Sequence, residues 1–178
     1  MNWTECARRQ PGLAKVGRER LLEPGVVLVS TIRRDGTPRL SPVEPLVMDD
    51  DLWLSMLWRS AKATDLLRDP RILVHSIINS RNGTAGEFKI RGTARAEPDP
   101  EVQRHYADVV GQRLGWSPTV GRFHLFAVDI AEISFIRYDD ASGDQFVAMF
   151  PAGREFVRRA TSATSLGAPE PWHEVLIP

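Results

Sequence analysis

A single cysteine, Cys6, leaves the chain without any possible internal disulfide. Stability must then come from burial of apolar surface, and an oxidising compartment is not indicated. No apolar run approaches the ~20 residues that a membrane-spanning helix needs. Met1 to Cys6 shows neither the basic nor the apolar region of a secretory signal. The expectation is a cytoplasmic protein with no membrane partner. An excess of one charge is also missing, since 23 Lys and Arg face 23 Asp and Glu. That leaves no strong electrostatic footprint for nucleic acid. Neither Gly-x-Gly-x-x-Gly nor Gly-x-x-x-x-Gly-Lys-Ser/Thr occurs, which removes the Rossmann fingerprint and the P-loop. His75, His105, His124 and His173 lack metal-ligand spacing, and Asp49-Asp50-Asp51 lacks the spacing of a calcium loop. No metal is expected.

What remains is a chain of 178 residues, long enough for one domain with a sizeable core. Residues 12–23 have helical apolar spacing and stop at Pro24-Gly25. Val26 to Ile32 is rich in β-branched residues and reads as a strand. Asp35-Gly36 is a hairpin turn signal. Arg39 to Met48 reads as a second strand. Pro42 and Pro45 cannot donate to a ladder, so that strand must be an edge, bulged, or open on one side. Leu52 to Leu57 and Ile72 to Ile78 read as strands flanking a short helix. Phe88 to Arg95 alternates with period two. Asp99-Pro100-Glu101 starts a second helix. Phe123 to Tyr138 is a long strand with a break in phase near Asp129 to Glu132, and Gln145 to Phe150 adds another. In the tail, Arg154 to Thr161 is expected to be helical and Ser162 to Pro171 loose. The domain limits expected are an N-terminal helical segment 1–25, a barrel of about 26–150 and a tail 151–178.

Trp58 to Arg71 concentrates the chemistry. Ser60 is placed to cap the short helix and Pro70 marks its end. A helix start carries free N–H groups and positive dipole, and here a hydroxyl, Arg59 and Lys62 stand beside it. Together they make a phosphate seat. The competing reading is a solvated, capped helix whose basic residues bind nothing.

Four segments in order strengthen the first reading. They are Arg33-x-Asp35-Gly36-x-Pro38, Pro42-Val43, Ser60-x-Lys62-x-x-x-Leu66-x-x-Asp69-Pro70-Arg71, and Phe88 to Ala94 with a central Gly92. Over residues 20–138 the chain resembles the flavin-binding split β-barrel superfamily, which includes pyridoxamine 5′-phosphate oxidase-like proteins. The resemblance implies a mostly β fold: a split barrel of about six or seven antiparallel strands, two or three peripheral helices, and a homodimer. It implies FMN, with Ser60 and Lys62 at the phosphate and Arg59 assisting. Ser41, Pro42 and Val43 would lie beside the ring. Trp58 would stack on the cofactor, pack the dimer, or equally pack in the core, since Trp buries a large area. Arg39 and Glu44 would reach the ring edge or face solvent. The implied activity is hydride transfer to or from a small-molecule substrate, with the cofactor carrying the chemistry and no protein nucleophile required. The deazaflavin F420 is the alternative cofactor. A non-catalytic flavin- or haem-binding protein is a third reading, with His124 the candidate for haem. The C-terminal Arg and His substrate motif of vitamin B6 oxidation is not evident in residues 154–178.

Overall fold

The computed structural model describes residues 1–172. β1 (Val27–Ile32) alternates buried and half-buried side chains, as a strand with one face on a core must. It returns through Asp35-Gly36. Gly36 takes φ +83°, and Asp35 accepts bonds from the Thr37 backbone N–H and hydroxyl. The strand expected over Arg39 to Met48 is two strands, β2 (Pro38–Val43) and β3 (Pro45–Met48). β2 pairs with β1, whereas β3 pairs with β4 (Asp51–Leu57). The break falls at Glu44, between the two prolines that withhold ladder donors.

That break closes the barrel. β1 also pairs with β5 (Arg71–Ser76), β5 with β6 (Glu87–Ala96), and β6 with β7 (Phe123–Tyr138). The start of β7 pairs with β4. The ring runs β1, β2/β3, β4, β7, β6, β5 and back to β1, every pairing antiparallel. The phase break expected in β7 is a bulge: Arg91 faces Glu132 while Gly92 faces Ile130, leaving Ala131 extra. Gly92 is required there, because a Cβ would sit 2.1 Å from the Asp129 carbonyl oxygen.

The far end of β7 pairs with β8 (Gln145–Phe150), followed by β9 (Arg154–Ser162) and β10 (Ser165–Pro171). The helix expected over Arg154 to Thr161 is therefore a strand, and the loose stretch after it is its hairpin partner. β8 offers an edge, and cross-strand pairing along it decides the conformation. Seven strands, β1 to β7, form the barrel, in line with the six or seven expected, and β8 to β10 bring the total among the described residues to ten.

The N-terminal segment is two short helices, α1 (Trp3–Arg9) and α2 (Pro11–Gly17), the latter running into a π-turn at Arg18–Leu22. They bury Trp3, Leu13, Val16 and Leu21 against the barrel core of Val27, Leu54, Phe88 and Phe126. α3 (Ala61–Arg68) links β4 to β5. α4 (Pro100–Leu114) ends on Gly115 in the left-handed region and packs Tyr106 and Val110 on Trp53, Phe123 and Leu125. His75 lies on the outer face of the barrel. Ile72, Val74 and Ser76 point inward, while His75 meets the Ser76 carbonyl and Glu87. Among the described residues, no helix is long and apolar enough to cross a membrane.

Candidate functional site

β4 ends at Leu57, and the chain turns sharply into α3. Arg59 takes φ +56°, which is costly for a side chain with a Cβ. Ser60 is extended and its hydroxyl accepts from the Ala63 N–H at 3.4 Å, a weak N-cap. Two residues on, Lys62 leaves the helix toward β2 and donates from Nζ to the Pro42 carbonyl at 2.9 Å. No carboxylate among the described residues pairs with it. Burial pulls its ammonium below the usual lysine range, the expected direction for a cation short of solvent and of counter-charge.

Lys62, Pro42 and Val43 share the wall of a cleft of about 620 Å³, a volume suited to a cofactor or small ligand. Met56, Leu57 and Phe123 add apolar wall, and Glu44 and Ser55 supply polar groups. Beneath Ser55 lies buried Tyr106, hydrogen-bonded to it, its phenol pushed up mainly by burial. The opposite wall comes from the segment after α4, with Trp116, Thr119 and Arg122. Nothing along the chain signals this wall, since Gly115-Trp116-Ser117-Pro118 reads only as a helix end. Its neighbours across the cleft lie more than fifty residues earlier.

α3 is fixed by a second set of contacts. Buried Asp65 accepts from Arg39 Nε at 2.7 Å and from the Thr31 hydroxyl at 3.0 Å, with Arg68 at 3.4 Å. Burial pushes the Asp65 carboxyl up. The bonds from Arg39 and Thr31 and the charges of Arg39 and Arg68 outweigh that and hold it below the usual carboxylate range. Arg39 is therefore tied to α3, whereas Glu44 lines the cleft.

The expected site residues divide between places. Ser60 stands at the helix start beside the cleft that Lys62, Pro42 and Val43 line. Ser41 pairs with Val29 and lies outside that lining. Trp58 stacks on His124, with ring centroids 4.6 Å apart and planes 9° apart, and Arg59 lies over the Trp58 ring. Trp58 and His124 line a separate cleft of about 380 Å³ with Leu67, Pro98 and Val120. Burial lowers the His124 imidazole, and His105 is exposed near Asp49. His173 lies outside the described residues. Among them, no cluster of three or more metal-ligating side chains forms.

A family model described as pyridoxamine 5′-phosphate oxidase matches residues 13–137. Solved structures share the fold at low identity. The General Stress Protein 26 of Bacillus anthracis is 18% identical, with 72% of this chain and 93% of that chain covered and a TM-score of 0.54. HutZ, the heme storage protein of Vibrio cholerae, is 17% identical, with 67% and 87% covered and a TM-score of 0.53. An F420 reductase is 16% identical, with 65% and 94% covered and a TM-score of 0.51. No curated protein matches the sequence.

Proposed function

This chain belongs to the pyridoxamine 5′-phosphate oxidase family, and on that premise we propose that it binds FMN in the Lys62 cleft and serves as a flavin-dependent oxidoreductase on a small organic substrate. The observation that carries the reading is Lys62: a half-buried ammonium with no carboxylate partner among the described residues, at a helix start, on the wall of a cofactor-sized cleft. Such a cation is stabilised by an anion, and a phosphate at a helix N-terminus also meets free N–H groups.

The residues present fit a flavin at both ends. Lys62 and the first turn of α3, capped by Ser60, suit the phosphate. Val43, Met56 and Phe123 give the ring an apolar wall. Beyond Val43 the strand leaves β1 for β4, which frees backbone groups near Glu44 from ladder pairing. Bound there, a flavin supplies reversible hydride transfer. The chain's part is to hold the phosphate at Lys62, fix the ring against β2 and keep water from the apolar wall. Among the described residues no histidine lines the cleft, so the haem reading has no imidazole ligand from them at this place. F420 is the second cofactor reading, favoured by a further cation, Arg122, on the same cleft.

The test is the chromophore of the purified protein, identified by spectrum and mass, followed by titration. Lys62→Ala should weaken FMN by about 1.5–3 kcal/mol, the range for a hydrogen bond to a charged group. Riboflavin, which lacks the phosphate, should bind both proteins equally weakly. Equal FMN affinity in the variant would falsify the phosphate assignment. Binding of F420 alone would replace FMN and leave the cleft in place.

A further inference from the structure

The cleft wall formed after α4 stands opposite Lys62 and is held by contacts of its own. Gly115 and Gly121, both at φ +73°, bound a strap of five residues, Trp116 to Val120. The Ser117 hydroxyl donates to the Ala107 carbonyl at 2.9 Å, and the Gly121 N–H donates to Gln103 Oε1 at 3.0 Å. Gln103 is itself buried and donates to the Glu97 carbonyl. The Arg122 N–H closes a turn onto the Thr119 carbonyl. Gly111 makes room for the strap, since a Cβ there would lie 2.4 Å from Ser117 Oγ. The strap is thus pinned to α4 at both ends and holds Trp116 and Arg122 on the cleft.

Those two side chains have unused capacity. Trp116 is 48% exposed, a large ring whose surface is left toward the cleft. Arg122 is exposed on the cleft rim with no carboxylate partner among the described residues. Glu44 is the only acid on the cleft wall among the described residues. A planar ring surface and an unpaired guanidinium on one cleft suit a planar, conjugated carboxylate: the ring stacks and the guanidinium takes the carboxylate in two parallel bonds. We infer that Trp116 and Arg122 form the substrate subsite of this cleft, and that its ligand class is a conjugated organic acid. The inference rests on the cofactor reading only in leaving Arg122 to the substrate while Lys62 takes the phosphate.

Cinnamate and its neutral analogue cinnamamide separate the contributions, titrated by calorimetry into FMN-saturated protein. Wild type should bind cinnamate about tenfold or more tighter than cinnamamide, as a charge-assisted pair dictates. Arg122→Gln should abolish that preference and leave FMN affinity unchanged. Arg122→Lys should keep part of it, and Trp116→Leu should weaken both ligands together. Circular dichroism checks that each variant folds. Equal binding of the two probes by wild type overturns the inference, as does a preference that survives Arg122→Gln. So does loss of FMN affinity in Arg122→Gln, which would assign Arg122 to the cofactor. If FMN does not bind, the same titration on the flavin-free protein still reads the Arg122-dependent preference, so failure of the two readings stays distinguishable.

Discussion

Lys62 and Asp65 sit one turn apart on α3 and do opposite things with charge. Lys62 has no carboxylate partner among the described residues, which is why it is read as a binding group. Asp65 is saturated: Arg39, Thr31 and Arg68 surround a carboxylate whose side chain is 6% exposed. Removing one member of such a cluster leaves the others buried without compensation. Asp65→Ala is expected to cost about 3 kcal/mol, near the low end for a broken buried pair because Arg39 keeps some contact with water. Urea unfolding at neutral pH measures it. The pH dependence follows from the direction of the shift. The folded carboxyl titrates below its unfolded value, so its contribution is complete above the unfolded value of about 4 and disappears as pH falls through the folded one. Wild type should lose stability over that acid window, and Asp65→Ala should lose distinctly less.

At the scale of elements, two irregularities shape the barrel, and both were partly legible. Pro42 and Pro45 signalled an interrupted strand, and the interruption at Glu44 is what passes the chain from β1 to β4. The phase break in β7 signalled a bulge, and Gly92 across from it is the residue that makes the bulge possible. Gly92→Ala puts a methyl group against the Asp129 carbonyl, where backbone and not a flexible side chain must yield. The expected cost is about 3 kcal/mol, the upper part of the range for overpacking. Thermal unfolding by circular dichroism reads it, and a change within error would mean that β6 and β7 separate there at little cost. The tail was misread at this scale. Arg154 to Thr161 has no strong strand signature of its own, and its conformation is dictated by β8 alongside it.

For the whole molecule, the expectation is a homodimer. Leu40 on β2, at 63% exposure, is a large apolar side chain that a monomer leaves in water. A two-fold partner that covers the outer face of β2 would remove that penalty. Light scattering at micromolar concentration should give twice the chain mass, and Leu40→Asp should shift the protein toward monomer without loss of secondary structure. A wild-type monomer under those conditions would count against the assembly.

The sequence by itself determined what depends on neighbours along the chain. Strand and helix order from Val27 to Phe150, the Asp35-Gly36 turn, the Ser60 cap and the ordered motifs behind the family resemblance are all local patterns, set by backbone propensity and side-chain period. It did not determine which of those segments meet. That Lys62 reaches Pro42, that Trp116 and Arg122 complete the cleft wall, that Arg39 goes to Asp65 and that Trp58 goes to His124 were decided by the closure of the barrel. So was the pairing of the tail as strands. Closure fixes strand register, and register fixes which face each side chain takes. A cleft between residues more than fifty positions apart therefore belongs to the packed fold and leaves no period or spacing in the chain to be read.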